Sequence, residues 1–213
     1  MIGRIYRTAD GLPAVKTMSA MEKELVDAVR KAAARIEVRA AVDDVYQLLA
    51  EAIAIRKPIC TASGRCCRFE EFGHRLYLTT MELAKFVADL AAVRSTAPQA
   101  LGDTSTFSPG RSLPILTNRK SITRVSPTSV DVPAWNGQGC PFQVDGLCGV
   151  HEIRPFGCRI FFCDPTSVQW QHDQYERHHS RLRTLHDALC VPYYYVEWRF
   201  ALKALDLTTA LNE

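Results

Sequence analysis

Seven of the eight cysteines fall into two tight groups, and any fold for this chain has to accommodate them. Cys60, Cys66 and Cys67 lie within one short stretch, "CTASGRCC". Cys140, Cys148, Cys158 and Cys163 form the second group, spaced C-x7-C-x9-C-x4-C, and only Cys190 stands apart. Successive Cα atoms are about 3.8 Å apart, below the roughly 4.4 Å that an unstrained disulfide needs, so Cys66 and Cys67 are a poor pair for one. Adjacent side chains also tend to diverge. The pair is therefore expected to serve two different centres, or to divide between ligation and packing. Thiolates are soft anionic ligands suited to zinc, copper(I) and iron–sulfur clusters. The bland alternative is that these are small buried hydrophobes, a common fate of free cysteine. Seven in two tight groups favours a thiolate metal site.

Context points the same way. The opening residues, "MIGRIYRTADGLPAVK", lack an apolar run followed by a cleavage site, and no stretch approaches the roughly 18 apolar residues of a membrane span. The expected location is the cytoplasm, where thiols stay reduced and a disulfide framework is disfavoured. The net charge of +3 on 213 residues demands neither nucleic acid nor a membrane as partner. A protein or a small-molecule substrate is left open, as is the oligomeric state. The spacings match neither paired zinc-finger knuckles nor the ferredoxin C-x2-C-x2-C run. Phosphate-loop, dinucleotide and nucleophile-elbow motifs are absent from the sequence, so any enzymatic role rests on the metal centre.

The rest of the chain reads as mainly α-helical, a single domain over 1–213. Leu25, Val29, Ala33 and Ile36 recur at helical spacing, as do Val42, Tyr46, Leu49 and Ile53. The stripes join poorly, predicting two helices or one bent around residues 37–43, with Thr17 or Ser19 as cap. An N-terminal helical segment thus occupies 1–57. A cysteine-cluster core occupies 58–165. Within it, Arg75–Leu78 reads as extended, and a helix starts near Met81 with Thr79 or Thr80 as N-cap and Glu82 completing a capping box. Residues 95–139 are rich in proline, serine and threonine and read as a loop insert, with "SLPIL" and "SITRV" as short strands around a solvated basic turn at Arg119, Lys120 and Arg124. C-terminal helices fill 166–213. One carries Tyr175, Leu182, Leu185 and Leu189 to an end near Cys190–Pro192, and the next runs from about Tyr194 to Ala204.

The cysteine segments resemble the YkgJ-type cysteine-cluster family, the zinc- or iron-chelating CxxCxxCC domain. Cys60, Cys66 and Cys67 match three positions of its opening motif, "YLTTMELAKF" its helix start, and Cys140, Cys148, Arg154-Pro155, Cys158-Arg159 and Cys163 its downstream block. The resemblance implies a cysteine-bound metal centre on all seven residues: an iron–sulfur cluster of the 4Fe–4S kind, with zinc as the alternative. One branch of the family is similar to flagellin lysine N-methylases. The resemblance thus implies, for any enzyme here, an iron–sulfur oxidoreductase or a lysine N-methyltransferase-like role. The other reading is a zinc-chelating structural or interaction domain without catalysis. Ser63 stands where the family has its remaining cysteine. If the family builds two four-cysteine centres, this chain has one closed centre and one with three thiolates. Ser63 then marks an open coordination position or a lost ligand.

Other residues are weighed beside these. Arg154 and Arg159 flank Cys158 and are read as cationic groups just outside the ligands, Arg159 above all, offsetting thiolate charge. His151, at C-x2-H spacing from Cys148, is more readily a partly exposed residue than a ligand. Cys190 is expected to be a small buried residue. His178, His179 and His186 follow a helical stripe and are expected in core or surface roles. Tyr193, Tyr194, Tyr195 and Trp198 are expected to pack the C-terminal helix.

Overall fold

Two apolar stripes make the first two helices. The computed structural model describes residues 18–96 and 135–208. Helix α1 (Met18–Ala34) buries Leu25, Val29 and Ala32, and α2 (Ile36–Arg56) buries Val38, Val42, Val45 and Leu49. They are two helices, and the break falls at Arg35, ahead of residues 37–43. Arg35 is extended, with φ −90° and ψ 116°. Its guanidinium donates to the Leu189 carbonyl at 2.9 Å and to Glu37 at 2.8 Å, which ties the corner to the far end of the chain. Thr17 lies outside the described residues, and Ser19 falls within the first turn of α1. Helix α2 stops at Lys57, whose left-handed backbone (φ 51°) sends its N–H to the Ile53 carbonyl at 2.7 Å, one residue before Pro58.

After a 3₁₀ turn at Arg65–Cys67 and the short α3 (Phe69–Phe72), strand β1 (Tyr77–Thr79) leads straight into α4 (Thr80–Thr96). The capping box forms as the sequence predicts. The Glu82 carboxylate accepts from the Thr79 N–H and from the Thr79 hydroxyl, both at 2.9 Å. Such a cap contributes about 1 kcal/mol. The expected strands at 112–116 and 121–125 lie outside the described residues. Strands β2 (Gln143–Val144) and β3 (Leu147–Cys148) form a tight hairpin, followed by α5 (Phe156–Ile160), a 3₁₀ turn at Pro165–Ser167 and the long α6 (Val168–Ala188).

The chain then departs from the expected helix at Tyr194. Residues Tyr195–Glu197 form strand β4, antiparallel to β1 with Thr79 opposite Tyr195 and Tyr77 opposite Glu197; helix α7 (Trp198–Ala204) begins only after it. Two interactions decide this. The β1 backbone offers a ladder, extended by Trp198 N–H to the Leu76 carbonyl at 2.9 Å, and the Glu197 carboxylate caps α7 through the Phe200 N–H at 2.9 Å. Among the described residues the fold is mainly α, with seven α-helices and two two-stranded sheets. Helix α4 is central, packed by α1 and α2, and α6 lies against α2. Phe86 of α4, Phe142 and Trp198 of α7 form a buried aromatic knot, with ring centroids 4.8–5.9 Å apart. This knot pins the segment carrying Cys140 to the helical core.

Candidate metal centre

Two glycines let the cysteine segments meet. Gly139 has φ +62°, and a Cβ there would lie 2.8 Å from the Cys67 carbonyl oxygen. The close approach lets the Cys140 N–H donate to that carbonyl at 2.7 Å, directly joining the first cysteine group to the second. Gly64 has φ +69°, and a Cβ there would collide with the Gly146 carbonyl at 1.9 Å. Gln143 bridges the same contact, donating to the Gly146 carbonyl at 3.1 Å and the Gly64 carbonyl at 3.3 Å. Glu70 adds an outer brace: it accepts from the Gly139 N–H at 2.7 Å and pairs with Arg199 of α7. Those two partners hold its carboxyl down at about 2.

Each remaining cysteine is delivered by a short element. The turn between β2 and β3 is Asp145-Gly146, with φ 49° and 77°, and it folds Cys148 back opposite Gln143, three residues after Cys140. Pro155 caps α5, and the Cys158 N–H closes onto the Pro155 carbonyl at 3.1 Å. All eight cysteines are free thiols.

The thiols converge on Cys67, which is 2% exposed. Its electrostatic neighbours are the thiols of Cys140, Cys148 and Cys66. In the 3₁₀ turn at Arg65–Cys67, Cys67 is buried and Cys66 is half-buried, and each thiol acts on the other's proton. The proton economy of the group is uneven. Cys67, surrounded by the thiols of Cys140, Cys148 and Cys66, holds its proton far more tightly than an ordinary thiol. The neighbouring Cys67 thiol lowers Cys66 to about 6, with Arg154 helping, and also lowers Cys148. Burial pushes the Cys158 thiol well up, reinforced by the neighbouring Cys140, Cys148 and Cys66 and opposed by Arg154. Five cysteines from three segments thus share one electrostatic neighbourhood.

The two arginines divide their work. Arg154 is the cation that acts on Cys66, Cys148 and Cys158, and its Nε is buried without a hydrogen-bond partner. Arg159 donates to the Arg154 carbonyl and to the Glu152 carbonyl, both at 2.8 Å, and its guanidinium sits 4.4 Å from the centre of the Tyr46 ring. It shapes the loop that carries Arg154.

Cys60 and Cys163 lie elsewhere. Cys60 is exposed, and Cys163 has the Ser63 hydroxyl 3.5 Å from its sulfur. The Ile59 N–H donates to Asp164 at 3.3 Å, which brings the two segments side by side. Five of the seven cysteines thus act on one another, while Cys60 lies at the surface and Cys163 beside Ser63. Cys190 is exposed rather than buried: it takes the left-handed position (φ 51°) that ends α6. His151 is exposed and 3.7 Å from Glu152. His186 is buried, its Nδ1 donating to the Val191 carbonyl at 3.1 Å, and His179 meets the Tyr193 hydroxyl at 3.1 Å. His178 is 4% exposed with both ring nitrogens unpartnered, and burial lowers its pKa.

Among the described residues, no group of three or more His, Cys, Asp or Glu side chains has the arrangement of a metal shell. The donor set nonetheless suits a soft metal in its chemistry. Five thiols act on one another, the pKa of Cys66 is lowered, and the half-buried Arg154 beside them has its Nε without a hydrogen-bond partner. Cys66, Cys67, Cys140, Cys148 and Cys158 are the residues from which its ligands would come. Compared with family models, with curated proteins and with solved structures, the chain matches none.

The glycine contacts, the Glu70 brace and the burial of Glu82 were not singled out from the sequence. A glycine immediately before Cys140, and an Asp-Gly pair between two short apolar runs, were the signals available for the first contact and the hairpin.

Proposed function

We propose that this protein binds a metal through thiolates, and that its centre is an iron–sulfur cluster whose four thiolate ligands are drawn from Cys66, Cys67, Cys140, Cys148 and Cys158. The observation that carries the reading is the crowding of these thiols, with Cys66, Cys140 and Cys148 around Cys67, Cys158 beside Cys66, Cys140 and Cys148, and Arg154 next to them. Thiols packed this closely repel one another once ionised. A soft cation relieves that repulsion, and Arg154 offsets part of the remaining charge. The resemblance to the YkgJ-type family supports the same assignment and points to redox or methyl-transfer chemistry in the manner of its flagellin-methylase branch. When bound, such a cluster supplies electron transfer; the residues of this chain supply its ligands, its counter-charge and its shielding. No helix among the described residues is long and apolar enough to cross a membrane. The reading places the protein in the cytoplasm, where thiols stay reduced.

The test is purification without oxygen, followed by the visible spectrum and by iron, sulfide and zinc per chain. Iron and acid-labile sulfide with a brown absorbance support the proposal. Stoichiometric zinc without sulfide replaces the cluster with a zinc site that folds the domain. A folded protein that takes up neither metal overturns the reading.

A further inference from the structure

A cavity of about 300 Å³ opens beside the thiol group, at the small end of the range for ligand pockets. Cys66 and Cys158 form part of its lining, so the cavity reaches two of the five converged thiols. Its walls are aromatic and come from separate elements. His74 stacks on Phe161 with centroids 5.0 Å apart, and Tyr77 of β1 stacks on Tyr195 of β4 at 5.4 Å. The Tyr195 hydroxyl is hydrogen-bonded to that of Tyr175 from α6. The β1–β4 pairing builds this wall, because it sets the Tyr77 and Tyr195 rings against each other.

Arg75, His74 and His172 are the basic groups of the lining, and among the described residues no carboxylate lines it. Arg75 and His172 are both exposed, at the solvent side of the lining. The Nε2 of His74 donates to the Cys66 carbonyl at 3.3 Å, while its Nδ1 is buried without a partner. Flat aromatic walls accept a planar ring by stacking. A guanidinium at the open side accepts a carboxylate or phosphate in its fork.

We propose that this cavity is the substrate pocket of the thiol centre and that it takes a planar aromatic anion, ring inward against Tyr77 and Tyr195, acidic group outward at Arg75. That the bound molecule meets a metal rests on the function proposed above; that the cavity binds it does not.

The experiment is calorimetric titration of the intact protein, with its metal content measured on the same sample. The probes are 2-naphthoate, neutral 2-naphthamide and the cation 2-naphthylmethylammonium. The expected result is saturable 2-naphthoate binding at least tenfold tighter than that of the cation. Arg75→Gln, at an exposed position, weakens 2-naphthoate about tenfold and leaves 2-naphthamide unchanged. Tyr77→Ala weakens both, with the far-UV circular dichroism retained. No 2-naphthoate binding at millimolar concentration, a preference for the cation, or binding indifferent to both substitutions would overturn the pocket. Binding that persists in protein carrying neither iron nor zinc keeps the pocket and sinks only the metal reading.

Discussion

The hydroxyl of Ser63 stands 3.5 Å from the sulfur of Cys163. These residues lie 100 positions apart in the chain, and the contact joins the ends of the two cysteine segments outside the five-thiol group. A serine here leaves Cys163 with a hard hydroxyl neighbour, which soft metals bind poorly. Ser63→Cys would put a second thiol beside it. A disulfide needs an S–S distance of about 2.05 Å, a closure that side-chain rotation on this exposed turn can supply. The Ser63→Cys protein is expected to lose two titratable thiols on mild oxidation, and to recover wild-type behaviour when Cys163→Ala is added. Retention of all thiols after oxidation would show that the two side chains do not meet in solution.

Cys67 is the hub of the five-thiol group, whereas Cys60 is exposed and outside it. Removing an outer-shell partner of a metal typically costs about 10–100-fold in affinity, and removing a central ligand costs no less. Cys67→Ala is therefore expected to lower metal affinity at least about tenfold, while Cys60→Ala leaves it unchanged. Competition with a chromogenic chelator measures both. An equal loss in the two variants would mean that Cys60 and the inner five serve one centre.

Glu82 is 2% exposed, and burial raises its pKa from 4.5 to about 7, against the lowering effect of its bonds from Thr79. The folded state thus holds a proton that the unfolded state has released between pH 4.5 and 7. The sign follows: this group's contribution to stability is full below about 4.5 and declines as pH rises through about 7. At one pKa unit per 1.36 kcal/mol, the decline approaches about 3 kcal/mol. Glu82→Gln keeps a carbonyl oxygen for the Thr79 N–H and removes the titration. Urea denaturation at pH 5 and pH 8 should show the wild-type protein losing more stability than Glu82→Gln across that interval. Identical pH dependence would mean the carboxyl is not desolvated as its burial implies.

Local signals and long-range ones were unequally legible. The capping box at Thr79 and Glu82 could be read because all its partners lie within four residues. The two N-terminal helices were legible from their apolar stripes, but the break at Arg35 was not, since its carbonyl partner at Leu189 lies 154 residues away. Strand β4 was misread for the same reason. Tyr195–Glu197 suits a helix or a strand, and only pairing with β1 decides. At the cysteines, the grouping in sequence marked the site but not its partition. Cys140 reaches Cys67 through the close glycine contact at Gly139, which is not a property of spacing.

Cys190 offers the cleanest separation of thiol chemistry from backbone geometry. It occupies the left-handed position after α6, where the following Val191 N–H reaches back to the His186 carbonyl at 2.9 Å and the Cys190 N–H to Asp187 at 3.2 Å. This is a Schellman ending, a position that favours glycine because a side chain strains the left-handed backbone. Its thiol is exposed, on the surface rather than in the five-thiol group. Cys190→Gly should therefore relieve strain and stabilise the protein by about 0.5–1 kcal/mol, with metal content unchanged. Denaturation midpoints and metal per chain, measured on the same preparations, check both halves. A loss of metal on substitution would make Cys190 a ligand, and a loss of stability would mean that its side chain contributes more than its backbone strain costs.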